Sequence, residues 1–427
     1  MKANSLYIFM LVAALFIASA NNLFAEENSR KIDKIEVKEN RVTADVEDAD
    51  LPDVLKVIEK GSGIKITVDK ELLGKKITTS FENKDVEDSL REVLRGHYYV
   101  LSYTHDRSDK EKKTLKEVKA KGDVIGSKPL KGQIITFEIP YGNGKGEVGV
   151  HIGGTGEGDL SHGPTSFALD DEDNIYICDA LNNGVQIYTP DGKYLSTIPL
   201  KEGTSAADIV VDKHGFVYIY DASIRKLYQY EKNGNIVASI DVNQFWHGGD
   251  PIRIKGNEIY VDDCDPEICG SYIIGRILFN KRLVPPSAQE LTKLTDIGRY
   301  RASGKKTKGR KFIRGYNAQI DISDKDNLSS IMLSLPSNDI VVRSLLGEDR
   351  KGNFYFYRSR AQDAAKLWYI DEFDATGDYI GSTSMPGGDQ VIFARKEFHL
   401  TRDGNVYHFV PEKDLLKVFI FHNEGTL

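Results

Sequence analysis

Histidine, aspartate and cysteine are the residues from which this chain could build a reaction centre. Nine histidines are scattered along it, and two, His162 and His247, stand just before runs of alternating apolar residues. At the mouth of a shared channel, two imidazoles could contribute to a divalent-metal site of the kind that activates water. No third ligand stands in register with them, so they are weak candidates. Aspartates recur as Asp179, Asp221 and Asp263, each after an apolar run. Aspartate in that place bonds nearby backbone N–H groups in a turn. Cys264 and Cys269 could close a small disulfide loop in an oxidising compartment, or remain two free thiols, and both readings stay open. No Gly-x-Ser-x-Gly, His-Glu-x-x-His or Cys/His nucleophile pattern occurs. The glycine-rich run from Gly153 to Asp159 lacks the Gly-Lys-Ser/Thr ending of a phosphate loop, and no helix pattern follows it. No catalytic residue and no cofactor is therefore assigned.

Two segments have the composition of binding loops. Asn243 to Asp250 carries Phe245, Trp246, His247 and Asp250, including one of only two tryptophans. An aromatic anchor beside polar groups is typical of recognition surfaces. Arg299 to Arg314 holds eight basic residues and no acidic one, among them Arg299, Arg301, Lys305, Lys306, Lys308, Arg310 and Lys311. The whole chain has a net charge of −7, which argues against general affinity for nucleic acid. The basic segment instead suits an anionic cell-surface component or an acidic partner.

The elements that must position these residues are short strands. Between Pro164 and Leu200 four runs alternate in period 2: Phe167 to Leu169, Ile175 to Ile177, Val185 to Tyr188 and Tyr194 to Ile198. Asp171 to Asn174, Asn182-Asn183-Gly184 and Pro190-Asp191-Gly192 separate them, which is hairpin chemistry. The unit repeats: Tyr176, Tyr218 and Tyr260 lie 42 residues apart, and the pattern returns around Tyr355 and Tyr407. A period near 40–50 residues in an all-β pattern reads as propeller blades. Spacing places a divergent blade near 300–335, for six blades in all. The strand Gln133 to Ile139 has no neighbours of its own, whereas the last unit, 396–422, supplies only three strands. The early strand is therefore expected to complete the last blade and close the ring.

The segment 152–200 resembles NHL-repeat propellers. The residues that carry the likeness are Gly153 to Gly158, Pro164, Asp170 to Asn174, Ile175 to Ala180, Asn182 and Val185 to Tyr188. The likeness continues at 206–241 and fades beyond it, 252–335 departing most. The basic residue usual after the Asn is Gly184 in the first repeat, and Lys226 takes that place in the second. The resemblance implies a six-bladed propeller with a binding surface; some such propellers are enzymes holding Zn or Ca in the channel.

Upstream, residues 32–104 read as a compact βαββαβ module. Leu51, Val54, Leu55 and Ile58 fall at helical spacing, as do Val86, Leu90, Val93 and Leu94. With Ala49 to Leu55, Gly63 to Asp69 and Leu90 to Gly96, the module resembles the short N-terminal domain of secretins and TonB-dependent receptors. That resemblance implies a periplasmic protein-contact module without catalytic residues. Residues 105–131, with eight lysines, read as a charged linker. The N-terminus has a basic Lys2, an apolar run from Leu6 to Ala18, and cleavage candidates at Ala20 and Ala25: a signal peptide over 1–25.

The sequence therefore predicts a mainly β protein: signal peptide 1–25, α+β module 32–104, linker 105–131 and six-bladed propeller 132–427. It is expected to be periplasmic or secreted, and soluble without a transmembrane segment after signal cleavage. The expected role is an envelope-associated binding or scaffold protein whose module and propeller each contact a partner. The alternative is a propeller hydrolase or lyase with a divalent metal in its channel.

Overall fold

The computed structural model of the protein describes residues 34–106, 112–122, 128–154, 160–243, 251–265, 268–278, 280–286, 311–312, 319–323, 329–334, 340–360, 366–388, 392 and 394–424. The chain divides into two compact units, Met1–Asp123 and Val124–Leu427. Among the described residues no helix is long and apolar enough to cross a membrane.

In the first unit, β1 (Lys34–Lys38), β2 (Arg41–Asp50) and β4 (Lys76–Asp85) form an antiparallel sheet in the order β1-β2-β4. Helix α1 (Leu51–Ser62) buries Leu51, Val54, Leu55 and Ile58, the stripe legible in the sequence. It ends at Gly63, whose left-handed φ of 72° lets its N–H reach the Glu59 carbonyl. Helix α2 (Val86–Val93) is capped by the Asp85 carboxylate, which accepts from Asp88 N at 2.8 Å. β3 (Lys65–Val68) pairs in parallel with β6 (Lys113–Ala120), and β6 in antiparallel with β5 (Tyr99–His105). Strands β1 and β6 thus flank the expected βαββαβ core. β6 falls in the segment read as a linker. Val118 and Ala120 are buried and Leu115 half-buried, and a bulge between Leu115 and Glu117 breaks the alternation, so the lysines and the bulge together concealed a strand.

The second unit is a β-propeller built from four-stranded antiparallel sheets. The first sheet is β8 (Phe167–Leu169), β9 (Ile175–Asp179), β10 (Gly184–Tyr188) and β11 (Tyr194–Pro199). The second is β12 (Ala206–Val211), β13 (Val217–Asp221), β14 (Lys226–Tyr230) and β15 (Ile236–Asp241). The third is β16 (Ile252–Lys255), β17 (Glu258–Asp265), β18 (Ile268–Ile277) and β19 (Leu283–Val284). The fourth is β23 (Ile340–Glu348), β24 (Phe354–Arg360), β25 (Leu367–Phe373) and β26 (Tyr379–Pro386). The fifth is β27 (Phe398–Leu400), β28 (Val406–Pro411), β29 (Leu415–Asn423) and, from the other end of the unit, β7 (Gly132–Pro140). β7 pairs with β29 from Leu415↔Pro140 to Asn423↔Gly132, the closure expected from the strand count.

Neighbouring sheets bury their faces against each other. Tyr176, Val185 and Ile198 of the first pack with Ile209, Ile219 and Tyr230 of the second. Tyr218 and Leu227 pack with Ile259 and Ile274 of the third. Phe167 and Ile177 pack with Tyr407 and Val418 of the fifth. Trp368 and Ile370 of the fourth pack with Phe398 and Phe421. Five four-stranded sheets are described where six blades were expected. The segment expected to hold a divergent blade contains β20 (Lys311–Phe312), β21 (Gln319–Ser323) and β22 (Ser329–Ser334), joined as an antiparallel meander.

Candidate functional site

In each sheet the first strand lies innermost, and its leading end shares one face of the ring with the end of the second strand. Thr165 and Ser166 lead into β8, Ala207 and Asp208 belong to β12, Ile252 opens β16, and Arg395 and Lys396 lead into β27. These residues meet at the centre. Asp208, fully buried, accepts the Ser166 hydroxyl at 2.5 Å and the Ile252 N–H at 2.5 Å, so it ties the second sheet to the first and third. The Lys396 ammonium crosses from the fifth sheet to donate to the Ile209 carbonyl at 2.7 Å, and lies 3.1 Å from the Asp208 carboxylate. Burial holds the Lys396 ammonium below its ordinary pKa, with the Asp208 charge opposing that shift. Beneath the pair, burial pushes the Cys178 thiol well above its usual value, which makes it an inert packing group.

The Arg253 charge acts on Lys396, and Arg395 precedes Lys396 in the chain. The Arg395 guanidinium lies 5.8 Å from the centre of the Tyr220 ring. Arg253, next to Ile252, donates to the Leu346 carbonyl of β23 at 3.2 Å. His399 on β27 is held well below its normal pKa by burial, and then by the Lys396 and Arg253 charges.

A cleft of about 460 Å³ opens on the same face at the seam of the fifth and first sheets, lined by Tyr141, Asn143, Val150, His151, Leu181 and Asn182 among others. Asp179 shapes its floor by accepting from Gly149 N at 3.0 Å, Asn182 Nδ2 at 2.8 Å and Gln186 Nε2 at 3.2 Å. Asp179 and Asp221 are thus the turn residues the sequence suggested, Asp221 accepting from Ser223 N and its hydroxyl. Leu181 is 47% exposed, and Leu160, on the segment that follows His151, is 68% exposed.

Most of the residues singled out from sequence as binding groups fall elsewhere. Phe245, Trp246, His247 and Asp250 lie outside the described residues, as do Arg299, Arg301, Lys305, Lys306, Lys308 and Arg310. Lys311 opens β20 and pairs with Ser323. His162 forms a reciprocal backbone bridge with His151 (2.7 and 2.8 Å), and their rings stack with centroids 6.1 Å apart. Its partner is thus an exposed hairpin neighbour. Among the described residues no group of three or more His, Cys, Asp or Glu is placed to hold a metal ion. Cys264 and Cys269 are direct cross-strand partners in the β17–β18 hairpin.

Sequence reasoning missed Asp208, Lys396, Arg395 and Ser166. A signal was present: Asp208 interrupts the apolar run Ala206–Val211 at the position 42 residues after Ser166, the same interval that separates the tyrosines. A carboxylate inside a buried strand needs a cation, and Arg395-Lys396 immediately ahead of a strand could have supplied it.

No family model matches the chain, and no curated protein matches it. Similarity to solved structures is at the level of distant folds. A member of the DUF4221 family from Bacteroides vulgatus is 11% identical, with 69% of this chain and 97% of that chain covered and a TM-score of 0.39. A virginiamycin B lyase from Staphylococcus aureus is 12% identical, with 68% and 99% covered and a TM-score of 0.35. A gluconolactonase from Xanthomonas campestris is 11% identical, with 70% and 100% covered and a TM-score of 0.33.

Proposed function

We propose that this protein is an exported, envelope-associated binding protein, periplasmic or secreted, that carries no catalytic centre of its own. The propeller presents its ligand on the face bearing the Asp208–Lys396 pair and the Asn143–Asn182 cleft, and the N-terminal unit contacts a second partner. The observation that carries this reading is the lysine at the ring centre. A divalent metal in the channel would need carboxylates and imidazoles around it, and here a fixed ammonium, with Arg253 beside it, occupies that neighbourhood. The buried Asp208 carboxylate there is already engaged by Ser166, Ile252 and Lys396.

Export rests on the sequence: the apolar run 6–18 read as a signal peptide over 1–25, and the likeness of 32–104 to the secretin and TonB-receptor module. The basic segment 299–314 and the loop 243–250 belong to the same proposal, as contacts for an anionic envelope component or an acidic partner. The ring is read as five-bladed, against the six blades expected from the repeat spacing and implied by the NHL resemblance. The Arg253 to Leu346 bond joins the first strands of the third and fourth sheets, a reach that an intervening blade would prevent, and this favours β20–β22 lying outside the ring.

The test is metal analysis of purified full-length protein together with fractionation of expressing cells. The expected result is less than about a tenth of an equivalent of Zn or Ca, and protein in the extracytoplasmic fraction with residues 1–20 or 1–25 removed. A stoichiometric metal lost on replacing His162 and His247 would establish the hydrolase alternative instead.

A further inference from the structure

We propose that the cleft at the seam of the fifth and first sheets binds a neutral saccharide. The inference rests on the binding-protein reading above and names the chemical class of what is bound.

At about 460 Å³ the cleft has the size of a small-ligand site, and no acid, lysine or arginine is among the residues that line it. The charged residues of the adjoining loop are engaged outside the lining. The Glu147 carboxylate accepts from Gly144 N at 2.7 Å, and the Lys145 ammonium lies 5.5 Å from the centre of the Tyr194 ring. An ionic ligand would find no counter-charge in this wall, and desolvating its charge there is unfavourable. Much of the backbone is engaged as well. Gly142 N donates to the Val148 carbonyl at 2.9 Å, and the Gly142 carbonyl accepts Asn182 Nδ2 at 2.8 Å. Gly149 N donates to Asp179 at 3.0 Å, and His151 is bridged to His162 through both its N–H and its carbonyl. An extended peptide binds by pairing with vacant backbone groups of a strand edge, and at these positions they are taken.

The wall presents side-chain amides beside rings and apolar surface. Both Nδ2 hydrogens of Asn182 are committed, one to the Gly142 carbonyl and one to the Asp179 carboxylate, each at 2.8 Å. That fixes the amide plane and leaves its oxygen to accept. Asn143, exposed, brings a second amide with both donors and an acceptor. Tyr141 is held through its hydroxyl, which donates to the Glu412 carbonyl at 2.8 Å, so its ring is a fixed surface. Leu181, exposed, and Val150 add aliphatic area. A sugar ring is complementary to this set. Its hydroxyls donate and accept around the edge, and the C–H groups of its face lie on an aromatic ring or an aliphatic chain. Because the fold already holds the Asn182 amide and the Tyr141 ring, little ordering is left to be done on binding.

The experiment is calorimetric titration of the full-length protein with maltotriose, with chitotriose (the N-acetylglucosamine trimer) and with trialanine, accompanied by thermal unfolding. Saturable binding of at least one saccharide is expected, weakened about fivefold or more in N143A and in L181A. Both side chains are exposed, so the two variants are expected to keep the unfolding midpoint of the parent. Binding of chitotriose alone assigns an N-acetylated glycan, and binding of maltotriose alone an unacetylated one. Absence of saturable binding by both saccharides, tighter binding of trialanine, or saccharide binding that is unchanged in the N143A/L181A double variant overturns the proposal. Each of these is separable from failure of the binding-protein reading, which would appear as a bound metal whatever the saccharides do.

Discussion

At the scale of single residues, the least ordinary groups in this propeller are charges and imidazoles placed where water cannot reach. Asp208 and Lys396 join sheets that are not neighbours, and removing one leaves the other buried without a counter-charge. Replacing Asp208 by Ala is expected to cost about 3–5 kcal/mol of folding stability, and the double variant D208N/K396M considerably less. Chemical denaturation of the three proteins tests this, and equal losses in single and double variants would mean the pair contributes little. His408 is a second case. It is fully buried, stacked on Phe398 at 4.1 Å between centroids, with Phe419 and Trp368 around it. Burial lowers its pKa to about 3, against a weak opposing pull from the Pro386 carbonyl. In the unfolded chain a histidine titrates near 6.5, so protons bind the unfolded state preferentially between these values. The stability tied to a neutral His408 is therefore fully present above pH ~6.5 and is lost as pH falls toward 3, at up to about 1.4 kcal/mol per pH unit. The variant H408F should flatten that slope, which unfolding curves collected from pH 7 to pH 4 would reveal.

At the scale of the element, the recurring device is the turn between the first and second strands. Asp170, Asp212 and Asp349 each accept from the backbone N–H groups two and four residues on and from a tyrosine hydroxyl six residues on: Tyr176 at 3.0 Å, Tyr218 at 2.9 Å and Tyr355 at 3.3 Å. The 42-residue interval from Tyr176 to Tyr218 is thus the trace of this module, whereas Tyr260 has Ile254 in place of the aspartate, and Tyr176 is a hydrogen-bonding residue as well as a packing one. In the fifth sheet Thr401 takes the place of the aspartate, and the buried Tyr407 hydroxyl has no partner. T401D is expected to stabilise by about 1 kcal/mol by supplying it, measured as a rise in unfolding midpoint. The residue three after the turn opener needs a left-handed backbone; it is Gly215, Gly352 and Gly404 in three turns but Asp173, φ 60°, in the first. The third sheet offers another check. Cys264 and Cys269 are cross-strand partners in the backbone register of β17 and β18, a spacing that a disulfide can span. Protein recovered from an oxidising compartment should carry that bond, seen as a mass two units lower than after reduction. Free thiols there would count against it.

At this scale it is also clear why the fold was legible and the site was not. Strands and turns declare themselves through neighbours in sequence: Asn183-Gly184, Asp191-Gly192 and the alternating runs around them each specify local geometry. The helices α1 and α2 did the same through their apolar stripes. The centre of the ring is assembled from Ser166, Asp208, Arg253 and Lys396, up to 230 residues apart, and no local pattern links them. Unusual composition marks instead the segments 243–250 and 299–314. β6 was passed over for the opposite reason, since lysines on its exposed side made a half-buried strand look like solvent-facing chain.

At the scale of the whole molecule, the propeller is held shut by the sheet that unites β7 with β27, β28 and β29. Truncation after residue 412 removes β29, the strand between β28 and β7, and with it the buried Leu416, Val418 and Ile420. The truncated chain is expected to be largely insoluble, because both β28 and β7 would expose unpaired edges. Soluble yield and far-UV circular dichroism, compared with the full chain, decide this; a soluble, cooperatively folding product would show that closure is dispensable.

That closure also sets an order of events. A ribosome delivers β29 about 280 residues after its partner β7. Through that interval β7, with Ile134 and Ile135 on its surface, is a strand without a ladder, while the four intervening sheets can each complete their own hairpins. The ring is therefore closed only once β29 has been made. A premature stop just before Leu415 would leave every strand but β29 in place and still yield no closed ring.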